Sequence, residues 1–191
     1  MEKDLNSYLK GNERVCWQGK PMAFPLLENG TKFKILAKWI IAPIAAISLL
    51  LAYFHYNDQW SMGFVGLVAI ITVLAVISPI LERRNVTGCR YWITDQRVIL
   101  QTRDKSFFYM NLDDIDDYQI VRDVADQDCL VLGSCLFQEI HKQMRWRACH
   151  PLTDVENQGS KDQAKGLIFY GIGNAEAAEE FLVKHIKGRA A

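Results

Sequence analysis

The chain has 191 residues, enough for one ordinary globular domain and a few additional elements. Its 22 basic and 22 acidic side chains cancel, and a chain with no basic excess is not built to hold a nucleic acid. The cysteines, Cys16, Cys89, Cys129, Cys135 and Cys149, show neither C-x-x-C nor the Cys/His spacing of a zinc site, so they read as reduced structural thiols, with no metal and no cofactor expected.

Residues 1–32 form a polar arm expected on the cytoplasmic side. An apolar core begins too late in the chain for a cleavable signal peptide. Inside the arm, Val15-Cys16-Trp17 is bounded by Gly11 and by Gly19-Lys20-Pro21, which predicts a short extended segment or turn. Trp17 has two readings, packed on the later domain or seated at a membrane interface.

Residues 33–82 carry two apolar runs, read as a hairpin of transmembrane helices over about 35–54 and 60–81. Trp60 to Leu81 is 22 residues without a charge, and 12 of them are Leu, Ile, Val or Phe. As a helix this run spans about 33 Å, against about 30 Å of bilayer hydrocarbon. Trp39 to Phe54 is shorter, 16 uncharged residues, extended by Lys34 and Lys38 with their long aliphatic stems. Pro43 falls in its first turns. Ala42 and Ala46 form a small-residue pair, read as helix filler.

Lys3, Lys10, Arg14, Lys20, Lys32, Lys34 and Lys38 precede the first run, the link holds no Lys or Arg, and Arg83, Arg84 and Arg90 follow the second. That distribution predicts an integral membrane protein with both termini in the cytoplasm. Tyr53, Phe54, Tyr56 and Trp60 gather at the link as an interfacial aromatic belt. His55 and Asp58 in the link make a poor metal site.

Residues 83–191 change period. Tyr91-Trp92-Ile93 and Val98-Ile99-Leu100 flank Thr94-Asp95-Gln96-Arg97, which predicts two strands and a tight turn. Further short β-prone runs are Phe107 to Met110, Tyr118 to Val121, Cys129 to Leu132, Leu136 to Ala148 and Leu167 to Tyr170. Asp-, Gly- and Ser-rich breaks separate them, as in an antiparallel sheet or barrel. From Ile140 to Cys149 the period is two. Ile140, Lys142, Met144, Trp146 and Ala148 are expected inward, and His141, Gln143, Arg145, Arg147 and Cys149 outward.

The polar, irregular stretch 151–165 reads as an elaborated loop. A helix over about 175–187 is predicted from Asn174 as N-cap, Glu176 and Glu179 early, Lys184 and Lys187 late, and Gly188 as the stop. Ala178, Phe181, Leu182, His185 and Ile186 share its packing face.

At RYWITDQRVIL the chain resembles the opening hairpin of bacterial pleckstrin-homology-like (bPH) domains, in their membrane-anchored, YdbS-like members. ERVCWQGKP in the arm, the two-span hairpin before the domain, and the closing GLIFYGIGNAEAAEEFL agree, so the resemblance covers most of the chain. It implies an α+β membrane protein: a two-helix transmembrane hairpin followed by a PH-like antiparallel β-barrel or sandwich of seven strands, capped by a C-terminal helix. It does not bring a phosphoinositide site, because the first hairpin loop, Thr94 to Arg97, is short and has a single basic residue.

Other chemistry is weighed against this. Gly171-Ile172-Gly173 lacks the third glycine and the βαβ continuation of a dinucleotide fingerprint, and reads as a turn. The acidic residues Asp113, Asp114, Asp116, Asp117, Asp123, Asp126 and Asp128 do not have EF-hand spacing. They read as solvated strand ends, or as a surface facing Arg145 and Arg147 of another copy. Cys149 and His150, tried as nucleophile and base, would point to opposite faces of a strand, and no catalytic motif is present, so no enzyme is expected.

The expected function is a non-catalytic anchored module that binds a protein or peptide partner, self-association included, at the cytoplasmic membrane face. The alternative is peripheral recognition of anionic lipid headgroups. Arg83, Arg84, Arg145 and Arg147 are the candidate contacts for headgroup or partner.

Overall fold

In the computed structural model, residues 2–122, 125–138 and 143–189 are described. The chain is α+β. A short helix α1 (Glu2–Tyr8) and a strand β1 (Val15–Gly19) lead into two long helices, α2 (Asn29–Tyr56) and α3 (Met62–Thr87). Strands β2 (Arg90–Thr94), β3 (Arg97–Gln101), β4 (Phe107–Asn111), β5 (Tyr118–Val121) and β6 (Cys129–Leu132) follow. A six-residue helix α4 (Met144–Cys149), strand β7 (Leu167–Phe169) and helix α5 (Ala175–Arg189) complete it.

Helices α2 and α3 are long and apolar enough to cross a membrane. Their most apolar stretches are only 6% and 11% buried, so they are not core helices of the β domain. Ile40, Ile41, Ile44, Ile47, Leu49 and Leu51 of α2 are exposed, as are Leu67, Ile70, Ile71, Val73 and Leu74 of α3. The helices lean on each other: Trp39 Nε1 donates to the Val76 carbonyl at 2.9 Å, and Lys38 Nζ to Ser78 Oγ at 2.5 Å. Ala42 and Ala46 line the shallow groove between them, with Val68, Thr72 and Ala75 opposite. α2 outruns the apolar stretch read from sequence at both ends, and α3 starts two residues later than read but continues through Arg83 and Arg84 to Thr87.

The strands among the described residues make two antiparallel sheets, ordered β1-β2-β3-β4 and β5-β6-β7, and not a closed barrel. β1 comes from the arm and pairs with β2, Trp17 opposite Ile93 and Gly19 opposite Tyr91. The helical hairpin is therefore inserted between two neighbouring strands of one sheet, and the domain uses residues on both sides of it. Trp17 packs on the domain: its ring stacks on Phe169 of β7 with centroids 5.8 Å apart. Tyr91 stacks on the same Phe169 at 4.4 Å, which joins the two sheets.

The β2–β3 turn forms where TDQR predicts it. Thr94 Oγ1 accepts the main-chain N–H groups of Gln96 (3.2 Å) and Arg97 (2.9 Å), closing a two-residue loop. The α5 start is also as expected, since Asn174 Oδ1 accepts the Ala177 N–H at 3.0 Å. Ala178 and Leu182 are buried beneath that helix. The His185 and Ile186 side chains lie outside the described residues. Gly171 has φ +58°, and its carbonyl accepts the Met22 N–H at 2.8 Å. A Cβ on Gly173 would stand 2.5 Å from Met22 Sδ, so this glycine pair is a seat for the arm.

One predicted strand is corrected. Residues 144–149 are helical, and residues 140–142 of the alternating run lie outside the described residues. Met144, Arg145, Ala148 and Cys149 are buried together, a pattern of i, i+1, i+4 and i+5 that belongs to a helix. That face packs on α3 and β7. Packing against those two elements overrides the local alternation. Arg145, expected outward, points into the protein.

Candidate functional site

The most elaborated polar arrangement lies under the hairpin. Glu28 is the last residue before α2 and is 1% exposed; Arg145 on α4 is 4% exposed. The Glu28 Oε2 accepts from Arg145 Nη2 and from the Tyr170 hydroxyl, the latter at 2.5 Å. Its Oε1 accepts the Asp126 N–H at 3.2 Å. Arg145 Nε donates to the Tyr170 hydroxyl (3.1 Å) and Nη1 to the Leu26 carbonyl (3.1 Å). Its guanidinium carbon lies 5.0 Å from the Phe24 ring centroid. Burial opposes the charge on Arg145, but Tyr170 and Glu28 outweigh it and hold the guanidinium above its ordinary pKa. Burial, eased by Arg145, pushes the Tyr170 hydroxyl far up, so it stays a donor. This cluster fixes where α2 leaves the domain.

A second ionic staple holds the arm. Arg97 donates through Nε to Glu13 Oε1 and through Nη2 to Glu13 Oε2, both at 2.9 Å. Nη2 also donates to the Tyr8 carbonyl at 2.9 Å. The guanidinium sits between the rings of Tyr8 (4.7 Å) and Tyr109 (5.0 Å). Burial alone would raise the Glu13 carboxyl, but hydrogen bonds from Arg97, the Lys10 N–H and Thr94 hold it below its ordinary value. Arg97, the basic residue of the first hairpin turn, is thus turned inward.

Of the four arginines named as candidate contacts, the structure brings only Arg83 and Arg145 near each other; Arg83 is half-buried, and Arg145, expected outward, is buried. Arg83 Nε donates to the Phe24 carbonyl at 2.8 Å, and its guanidinium lies 5.7 Å from the Phe24 ring. Arg145 is sealed in the Glu28 cluster, because a buried guanidinium needs a buried anion. Arg147 pairs with Asp154 at 2.9 Å. Arg84 is exposed on α3. Arg145 and Arg147 therefore do not form the outward basic strand that was to meet an acidic surface.

The acidic residues organise turns. Asp116 Oδ1 accepts the Ser134 N–H at 2.9 Å and Oδ2 the Ser134 hydroxyl; Asp114 accepts from Asn111 (2.7 Å) and Gln163 (2.8 Å). Asp123 lies outside the described residues. Among the described residues no group of three His, Cys, Asp or Glu is placed to share a metal ion.

Cys149 and His150 line an open cleft of about 450 Å³ with Asn85, Thr102, Arg103, Asp104 and Phe108. The Cys149 thiol donates back to the Arg145 carbonyl at 3.3 Å, and burial and then Glu82 push it up to about 12. The His150 ring instead lies against Trp146, centroids 4.1 Å apart. A protonated thiol turned from its neighbouring imidazole is not an activated nucleophile.

A second cleft of about 370 Å³ opens where the hairpin meets α4. Thr31, Lys34, Ile35 and Lys38 of α2 form one wall, Pro79 and Glu82 of α3 another, and residues 143–146 the floor. The sequence offered no sign of this cleft, because its floor depends on residues 144–149 being a helix. Comparison with protein-family models, with curated proteins and with solved structures yields no match.

Proposed function

We propose that the chain is a membrane-anchored module in which a PH-like domain is held at the cytoplasmic face of a bacterial inner membrane, where it binds a protein or peptide partner. The single observation that carries the anchoring is the apolar exposure of α2 and α3, which only a lipid or a large protein surface would cover. The PH-like reading is supported by the four-stranded and three-stranded antiparallel sheets and the C-terminal α5. Arg84, on the cytoplasmic turn of α3, fits an orientation with basic residues inside.

The partner-binding reading is supported by an edge. The outer side of β4 is covered, since the Tyr109 N–H donates to the Asp162 carbonyl (3.1 Å) and the Ala164 N–H to the Tyr109 carbonyl (2.9 Å). β5 stands at the edge of its sheet. Gly133 N–H donates to the Asp117 carbonyl at 2.9 Å, so Asp117 and Gly133 are a hydrogen-bonded pair. By antiparallel alternation Gln119–Val131 and Val121–Cys129 are the next such pairs, and Ile120 turns its N–H and carbonyl outward. An extended peptide adds to such a row.

The test separates backbone from side chain. Ile120→Pro removes the outward N–H, and Ile120→Ala removes only the side chain, so partner capture from detergent extract is expected to fall with Pro and persist with Ala. Equal capture by both variants would sink the edge-binding reading.

A further inference from the structure

The cleft of about 450 Å³ at the end of α3 presents one cation, Arg103, and one anion, Asp104, and among the described residues no ion pair joins them. We infer that it binds a zwitterionic lipid headgroup, a phosphate carrying a primary ammonium. The inference rests on the anchoring reading above and gives it a ligand.

Depth comes first. From Met62 to Leu81 α3 would span about 30 Å, the thickness of bilayer hydrocarbon. Asn85 stands one turn past Leu81, about 6 Å further, within a headgroup layer of about 5–7 Å. The cleft opens at that level because α3 stops at Gly88 and the β3–β4 loop, residues 102–106, closes on it. A Cβ on Gly88 would stand 2.6 Å from the Cβ of Arg103, so only a glycine leaves room for the loop. Cys149 and His150 reach the same place from the C-terminal end of α4.

Chemistry names the ligand. Among the described residues no group engages the Arg103 guanidinium, the Asn85 amide or the His150 ring nitrogens. All three can donate to a phosphate. Asp104 lies beside them, and its carboxylate accepts the hydroxyls of Thr102 and of Ser106, the latter at 2.9 Å. Those bonds hold the carboxyl below its ordinary pKa, so it is charged. A carboxylate has about four acceptor sites, which leaves room for an ammonium. Arg103 and Asp104 cancel, and Glu82 lines the other cleft, so a bare anion meets no net positive charge here. A ligand with both charges satisfies both side chains. Its ammonium must carry N–H groups, because a trimethylammonium has none to donate and Phe108 alone is no aromatic cage.

The experiment is native mass spectrometry of the full chain in detergent, with equimolar phosphatidylethanolamine, phosphatidylcholine and phosphatidylglycerol added. The phosphatidylethanolamine adduct is expected to dominate and to fall about tenfold in Arg103→Gln, the loss of one charge-assisted hydrogen bond. Asp104→Asn should instead turn the preference toward phosphatidylglycerol, since it removes both the acceptor for the ammonium and the charge that repels an anion. Arg84→Gln, on α3 outside the cleft, should retain the adduct. Should Arg103→Gln melt lower than the parent, Asn85→Leu carries the comparison, with an expected loss of about fivefold for a neutral hydrogen bond. Equal retention of the three lipids, an undiminished adduct in the variant that carries the comparison, or a preference that Asp104→Asn leaves unchanged would overturn the inference. Complete displacement by millimolar phosphoethanolamine would also overturn it, in favour of a soluble zwitterion. A chain that floats with liposomes yet shows no headgroup preference defeats this site alone, whereas a chain that fails to float defeats the anchoring beneath it.

Discussion

Glu28 and Arg145 are 117 residues apart in sequence and share a proton-rich buried cluster with Tyr170. Removing one partner of a buried pair strands the other charge, which costs about 3–5 kcal/mol, whereas replacing both by apolar groups is often close to neutral. Arg145→Met is therefore expected to lower the melting temperature of the detergent-solubilised chain strongly, and Glu28→Leu/Arg145→Met to recover most of the loss. A double variant no more stable than the single would show that the pair does not act as a unit. None of this was legible at Arg145 itself. The basic alternation around it indicated an exposed strand, and a side chain's burial depends on an anion whose position only the fold supplies. Thr94 was different: its oxygen accepts the N–H groups of its own turn, which could be read directly, and only its hydroxyl bond to Glu13 depends on the fold.

The arm is an element attached by one carboxylate. Glu13 has a pKa below its ordinary value of 4.5, so it contributes stability that is present above about pH 4.5 and lost as pH falls through the lower, folded value. Lys10, Thr94 and Arg97 face it, and protonation removes the acceptor charge for all three contacts. The protection of amides across residues 8–19, relative to their intrinsic exchange rate at each pH, should fall as the Glu13 carboxyl protonates below its ordinary value, and Glu13→Gln should remove that dependence. Protection that is lost equally in the variant would place the acid-sensitive group elsewhere. Sequence punctuation located this arm strand correctly, at Val15-Cys16-Trp17 between glycines. What it did not show was a partner strand lying beyond the helical hairpin, because β pairing between distant segments leaves no local pattern.

For the whole molecule, the insertion of α2 and α3 between β1 and β2 has a topological consequence. β1 and β2 are adjacent and paired, so both ends of the hairpin must lie on one side of any layer it crosses. The link around Asp58 then lies on the other side. No cysteine stands between Cys16 and Cys89, so Asp58→Cys is the reporter of choice. A membrane-impermeant thiol reagent applied to intact cells is expected to label Asp58→Cys and to leave the parent chain unlabelled. Labelling only after lysis would reverse the proposed orientation.

By itself the sequence determined the properties that depend on neighbours within a few residues. These are the two apolar stretches inside α2 and α3, the TDQR turn, the Asn174 cap and most of the short strands, since period, capping and turn chemistry are local. Tertiary structure alone decided the rest. It made residues 144–149 a helix because α3 and β7 bury one face of it, turned Arg97 and Arg145 inward because Glu13 and Glu28 wait there, and drew the arm into the sheet across the hairpin. Each of those outcomes hangs on a contact between segments far apart in the chain, where burial and charge pairing outweigh local preference.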